Sequence, residues 1–283
     1  MKKRDVARYV SAMAFLAVFI LFPAGCTHKV QAQLKEAERQ FRLGNYQDSR
    51  SDYLQIAETY PKSRQAPEAY YWAGVISYLY LKQTQKALDY FHKVLTDYPA
   101  SEFVLPSRGH LAEMFEKEFN EPRLAIGEYQ KMIEETPDHA NEDEYLYKIG
   151  DIYFNQGDLA QSKIEWEGLI KKFPRNKWTD RASFQVAMIL LIKEKYAEGL
   201  AAMDDFLKVY PDSPFVIEAK YERGVCLEEL NRYDEALAVF KELLPTYSNH
   251  LLIEARIKKI EEKKSSLQQQ ESVEPDRPTV HGG

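Results

Sequence analysis

Apolar side chains recur at helical spacing through most of this chain. In NEDEYLYKIGDIYFNQGDLAQSKIEWEGLIKKFP (residues 141–174), Leu146, Ile149, Ile152 and Tyr153 share one stripe of a helix. Ser162, Trp166, Leu169 and Ile170 share a second. NQGD lies between them as a turn, and Pro174 ends the second stripe, because proline lacks the N–H that would continue a helix. The segment therefore predicts two antiparallel helices.

The same unit recurs. Prolines fall at 61, 99, 137, 174 and 211, with Ser248 in the next place, so the steps are 38, 38, 37, 37 and 37 residues. Twelve residues before each stands a small side chain: Ser49, Ala87, Ala125, Ser162, Gly199 and Ala236. A further 12 or 13 residues upstream stand Ala37, Gly74, Ala112, Gly150, Ala187 and Gly224. Two helices of a hairpin approach closely only where a side chain is absent or tiny, and a large neighbour must fill the adjoining gap. Tyr53, Phe91, Tyr129, Trp166, Met203 and Phe240, four residues after the second small column, are placed to do so.

Small residue, turn (GNYQDS, GDLAQS, NRYDEA), bulky residue and proline together resemble the tetratricopeptide repeat (TPR), in six copies over residues 30–249. The resemblance implies an all-α, right-handed superhelical solenoid of six TPR hairpins. NHLLIEARIKKIEEKK would follow as a capping helix (250–264), and the Gln-, Pro- and Gly-rich 265–283 as a disordered tail. The usual TPR period is about 34 residues. The distance from each proline to the next small residue is 13, which predicts a first helix one turn longer at its start. Ser63, Ser101, Asn176 and Ser213 are the expected N-caps, with Pro214 at a first helical position. The two 38-residue steps place one extra residue in the hairpin turns LKQTQ and FNEPR.

The N-terminus reads differently. MKKRDVAR is basic, and the 14 uncharged residues YVSAMAFLAVFILF are too few to cross a bilayer, which takes about 20. PAGC follows, and it resembles the lipobox of bacterial lipoproteins, although Pro23 stands where leucine is usual. The expectation is a lipoprotein signal peptide over 1–25, lipidation (palmitate) at Cys26 and an anchored linker at 26–29. VQA (30–32) is a rival cleavage site that would leave a soluble chain. Thr27, by resemblance to Gram-negative lipoproteins, favours the periplasmic face of the outer membrane. Endings such as ETYPKS, TDYPAS and KVYPDS resemble the periplasmic TPR lipoproteins of the BamD type and the Tol–Pal-associated coordinators. That resemblance implies a scaffold for envelope or outer-membrane assembly proteins. BamD-type chains carry five repeats where this one has six. A pilus, secretion or polysaccharide-export lipoprotein fits the same repeat.

Composition adds limits. A net charge of -6 with no basic stripe argues against nucleic acid as a partner. Removing residues 1–25, which hold four bases and one acid, takes the chain to about -9. The only cysteines are Cys26 and Cys226, too few for a disulfide framework, and Cys226 reads as a core thiol. The six histidines show no metal-ligand spacing, and phosphate-loop, dinucleotide and nucleophile-elbow motifs are missing. The expectation is no enzyme activity, no cofactor, no metal and no small-molecule substrate. Candidate partner-binding residues sit on the first helices. Three before the small site come Leu34, Tyr71, Gly109, Tyr147, Phe184 and Tyr221, with Trp72 beside Tyr71. The rings of Tyr71, Trp72, Tyr147, Phe184 and Tyr221 could line a peptide groove or pack between repeats, and both readings stand. Leu34, Glu38 and Trp72 occupy the places where some eukaryotic TPR domains hold a C-terminal carboxylate with Lys and Asn, which argues against that mode.

Overall fold

The structure is a computed structural model that describes residues 24–135 and 141–273. Among these residues the chain is all-α, with thirteen α-helices. The hairpins pair α1 (Ala24–Arg42) with α2 (Tyr46–Thr59), and α3 (Ala66–Val75, continued by the π-helical turn Ile76–Tyr80) with α4 (Thr84–Asp97). Next come α5 (Val104–Lys117) with α6 (Pro122–Glu135), α7 (Glu142–Asn155) with α8 (Leu159–Lys172), α9 (Thr179–Ile192) with α10 (Tyr196–Val209) and α11 (Val216–Glu229) with α12 (Tyr233–Leu243). The last helix is α13 (His250–Val273). The chain forms two compact units, Met1–Glu128 and Tyr129–Gly283.

All twelve small positions are buried. A Cβ placed on Gly74 would lie 2.7 Å from Phe91 Cε1, and one on Gly224 would lie 2.8 Å from Phe240. On Gly150 it would lie 2.6 Å from Trp166 Cδ1. The bulky residue of the second helix thus lies directly over the missing side chain of the first. Ser49 uses its small site differently, its hydroxyl donating to the Ala37 carbonyl at 2.8 Å.

The turn inside every hairpin holds one residue in the left-handed region: Gly44, Lys82, Asn120, Gly157, Glu194 and Asn231. In the fourth hairpin Asp158 N donates to Tyr153 O and Gly157 N to Phe154 O, both at 2.9 Å, closing a Schellman end. From this residue to the next small site is always five positions. From the previous small site it is seven in four repeats and eight in the second and third. In the second hairpin the extra residue therefore sits in the end of the first helix, not in the turn as expected. In the third, α5 ends five residues after its small site, as α7 does, and four residues rather than three precede the second helix, so there the extra residue lies in the turn as expected. The π-turn Ile76–Tyr80 absorbs it in one case. Gln83 N then reaches back to Ser77 O at 2.8 Å, and Glu121 N to Phe115 O at 2.7 Å, each one residue further than in the fourth hairpin. Glu194, at φ 56°, bears the steric cost of a side chain there. Glu194→Gly should raise stability by about 0.5–1 kcal/mol, read as a higher urea midpoint with unchanged slope.

A second expectation is corrected between repeats. The residues expected as N-caps do not start the helices. The Ser101 and Ser213 hydroxyls accept from Phe103 N and Phe215 N at 3.2 and 3.3 Å, and Asn176 Oδ1 accepts from Trp178 N at 3.3 Å. The helices begin at Val104, Thr179 and Val216, one turn later. Pro214 accordingly lies in the turn and not at a first helical position. Side-chain bonding to the backbone two residues on favours a turn over a longer helix. That turn brings Phe103, Trp178 and Phe215 in against the preceding repeat.

The ends also differ from expectation. The backbone is already helical at Ala24, so 26–29, the expected anchored linker, lies within α1; after Gly25 no glycine or proline interrupts CTHKVQAQLKEAE. The expected leader (1–25) and the proline at 137 fall outside the described residues, apart from the helical backbone of Ala24 and Gly25. At the other end α13 runs past Lys264 to Val273, through the first part of the tail expected to be disordered. SSLQQQESV is polar yet free of helix breakers, and the first proline after it is Pro275. Ile253 and Ile260 of α13 are fully buried. No helix among the described residues is long and apolar enough to cross a membrane.

Candidate functional site

The ring row on the first helices serves primarily as packing. Tyr147 and Tyr221 are buried at 5% and 9% exposure, while Tyr71, Trp72 and Phe184 are half-buried. Each ring of the row meets the bulky residue of its own second helix or its neighbour, and an aromatic from the turn that follows. Tyr71 lies 5.2 Å from Phe103, Tyr147 stacks on Trp178 at 4.9 Å, Phe184 on Phe215 at 5.3 Å and Tyr221 on Tyr247 at 5.0 Å, centroid to centroid. These contacts are staples between successive repeats. Trp72 meets Tyr71 edge-on at 5.6 Å and turns toward the first hairpin, 6.2 Å from Phe41 and 6.4 Å from Tyr53.

Gly109 interrupts the row, and the side chain that fills the gap is the one after it. The His110 ring lies parallel to Phe91 at 5.0 Å and 5.8 Å from Tyr71, whose hydroxyl is 3.5 Å from Nε2. The pattern of aromatic residues concealed this, because histidine is not counted as a core ring. Burial lowers the His110 pKa from its ordinary value, opposed by the Glu113 charge. A folded pKa below the unfolded one means that the unfolded chain binds the proton first. Stability of the first unit should therefore fall as pH drops below about 6.5 and stay level above it. His110→Phe should flatten that dependence when urea unfolding is compared at pH 5.5 and 7.5.

An open cleft of about 280 Å³ lies between first helices in the second unit. Its apolar part is formed by Tyr147, Trp178, Phe184 and Phe215, and its polar part by Lys148 and Asp151 of α7 with Arg181 and Gln185 of α9. The Arg181 guanidinium lies over two rings, 5.7 Å from the Tyr147 centroid and 5.5 Å from that of Phe215. Burial, with the Asp151 charge, raises the Tyr147 pKa above its ordinary value, and Arg181 works against them. Helical spacing explains the assembly. Lys148 and Asp151 are three apart and project from one face of α7, as Arg181 and Gln185, four apart, do from α9. Of the candidate groove residues, the structure brings Tyr147 and Phe184 to this cleft. Tyr71 and Trp72 lie in the first unit, and Tyr221 is covered by Phe240, Tyr247 and Arg256. Lys148, Asp151, Arg181 and Gln185 escaped the sequence reading because single polar residues on a helix look like ordinary solvated surface.

Cys226 is a free, fully buried thiol, and burial pushes its pKa up to about 12. No group of three or more His, Cys, Asp or Glu that could hold a metal ion gathers among the described residues.

No curated protein sequence matches the chain. Among solved structures, the C-terminal part of a TPR repeat-containing protein from Cytophaga hutchinsonii superposes with a TM-score of 0.57 at 14% identity, covering 75% of this chain and 78% of that one. A tetratricopeptide repeat protein from Parabacteroides merdae gives 0.54 at 14% identity, over 88% and 95%. The Pseudomonas aeruginosa pilF protein gives 0.51 at 13% identity, over 82% and 99%. Likeness at such identity speaks to the fold alone. Family models for the tetratricopeptide repeat match residues 31–63, 68–101, 144–176 and 187–250, more than half of the sequence. Sequence spacing, buried small columns and hairpin geometry agree with those matches, and the chain belongs to the tetratricopeptide-repeat family.

Proposed function

We propose that the protein is a non-enzymatic, lipid-anchored scaffold on the periplasmic side of the outer membrane, binding a partner protein in outer-membrane protein assembly as BamD-type lipoproteins do. The observation that carries the binding part is the first-helix cleft of the second unit. There, rings fixed by packing stand beside charged groups, so a partner segment meets a surface that is already ordered and little conformational freedom is lost on docking. TPR proteins bind protein partners through such preformed helical surfaces. The membrane part is supported by LFPAGC at residues 21–26, and the assembly role by the YP-ended repeats.

A photo-crosslinking residue at Gln185, introduced in the full-length chain in intact cells, tests this reading. The expected result is a covalent adduct with an outer-membrane assembly protein, recovered in the membrane fraction. Cys26→Ser should release both chain and adduct into the soluble fraction. A mature chain beginning at Gln33 would overturn the anchor and favour the soluble coordinator. Irradiation without any adduct would overturn the cleft as the binding surface.

A further inference from the structure

The ionic groups of the cleft have no ion-pair partners. Elsewhere acids and bases pair within and between helices, as Arg223 with Asp204 at 2.5 Å and Lys220 with Glu242 at 2.7 Å. Lys148, Asp151 and Arg181, which share one cleft, form no ion pair with one another or with any neighbour. The Arg181 guanidinium instead lies over the rings of Tyr147 and Phe215, and no carboxylate pairs with it. Two cations against one anion make the cleft locally basic in a chain of net charge -6.

From this, and resting on the partner-binding reading above, we propose that the cleft takes an acidic segment of a partner chain. An internal Asp or Glu carboxylate meets the Arg181 edge with Lys148 beside it, and Asp151 accepts a backbone N–H or a basic side chain of the same segment. Phe184 supplies the apolar wall for a neighbouring residue. The geometry suits arginine, since a carboxylate takes two parallel N–H donors from one guanidinium edge. The carboxylate belongs to a side chain within the segment, so amidating the peptide's C-terminus should leave binding unchanged.

The test is fluorescence anisotropy on the full chain with three labelled peptides of sequence Ser-X-Phe-X-Leu-X-Ser, where X is Glu, Gln or Lys, each C-terminally amidated. The Glu peptide should bind at least tenfold tighter than the Gln peptide, the Lys peptide weakest, and the preference should shrink as salt rises from 50 to 500 mM. Lys148→Gln and Arg181→Gln should each weaken the Glu peptide at least threefold and leave the Gln peptide unchanged. Arg181→Lys should recover only part of the loss. Helical circular dichroism and the melting temperature of each variant identify any that fail to fold, and Lys148, which holds no packing contact of this kind, provides the independent arm. Equal binding of the Glu and Gln peptides, a preference for the Lys peptide, or no binding of the Glu peptide at 1 mM would each overturn the acidic-segment inference. A crosslinked partner at Gln185 in cells would still support the binding reading in any of these cases, so the two fail separately.

Discussion

Replacing Gly150 by leucine should be among the most damaging single changes to the second unit, with a loss of at least 3 kcal/mol on the scale of a severe overpacking defect. Even a methyl group at this position would lie 2.6 Å from Trp166 Cδ1. The tryptophan cannot move aside: it is fully buried, its Nε1 donates to the Tyr147 carbonyl at 3.2 Å, and its ring lies 5.8 Å from Tyr147 and 5.7 Å from Phe154. Alanine would gain about 1 kcal/mol of helix propensity over glycine and should still destabilise, because the clash costs more than the propensity returns. The pair can be tested as a unit. Trp166→Phe alone should cost stability by opening a void, and combined with Gly150→Ala it should cost less than the sum of the two. Chemical unfolding of the four proteins measures this, and strict additivity would mean that these helices do not meet at Gly150.

The second large effect is expected at the other end of that unit. Glu228 is 4% exposed and receives Arg256 Nη1 at 2.7 Å and Lys259 Nζ at 2.8 Å, both from α13. Arg256 Nε also donates to the Tyr221 hydroxyl at 3.0 Å. Burial alone would raise the Glu228 pKa, but the hydrogen bonds and charges of Lys259 and Arg256 hold it below its ordinary value. A depressed carboxylate contributes stability above about pH 4.3 that is lost as pH falls toward the folded value. Arg256→Met leaves a buried carboxylate with only the more exposed Lys259. The expected loss is about 2–3 kcal/mol, short of the ~3–5 kcal/mol for breaking a fully buried pair because Arg256 retains some solvent contact. Hydrogen exchange should locate the loss in α13 and in the Tyr221 turn of α11. Glu228→Gln in the Arg256→Met background should restore part of the stability, and a further loss would show that the carboxylate is not the source.

The repeat was readable in the sequence because steric exclusion leaves a periodic mark. A position such as Gly74 or Ala187 that must be small in every copy repeats at the period of the fold. The contents of the turns were less readable. Lys82 and Glu194 adopt a left-handed conformation that glycine takes at Gly44 and Gly157, so residue type did not mark the turn. The π-turn at Ile76–Tyr80 left no compositional mark either, since ISYLY fits an ordinary helix. The serines before the first helices pointed to helix starts, yet a Ser hydroxyl bonding two residues on and one capping a helix share the same sequence signal. The ring row is legible in the sequence as a row, but ring spacing cannot separate a groove from a staple. That decision lay with Trp178 and Phe215, which arrive from the next repeat. The cleft's ionic half was the least readable, because Lys148 and Arg181 gain meaning only from what is across from them.

The staples give the second unit a mechanical character. Phe184 on Phe215 and Arg181 between Tyr147 and Phe215 join hairpins, and the same side chains line the cleft proposed for a partner. A ligand that presses on this wall also loads the hinge between neighbouring hairpins, so occupancy should register as stiffness. Each stacked repeat shares its stability with the next, and a segment docked there acts like a splint across a joint, slowing the opening of α7, α9 and α11 together. Recognition and elasticity are then coupled through the side chains that serve both, Arg181 and Phe184, while Lys148 touches recognition alone.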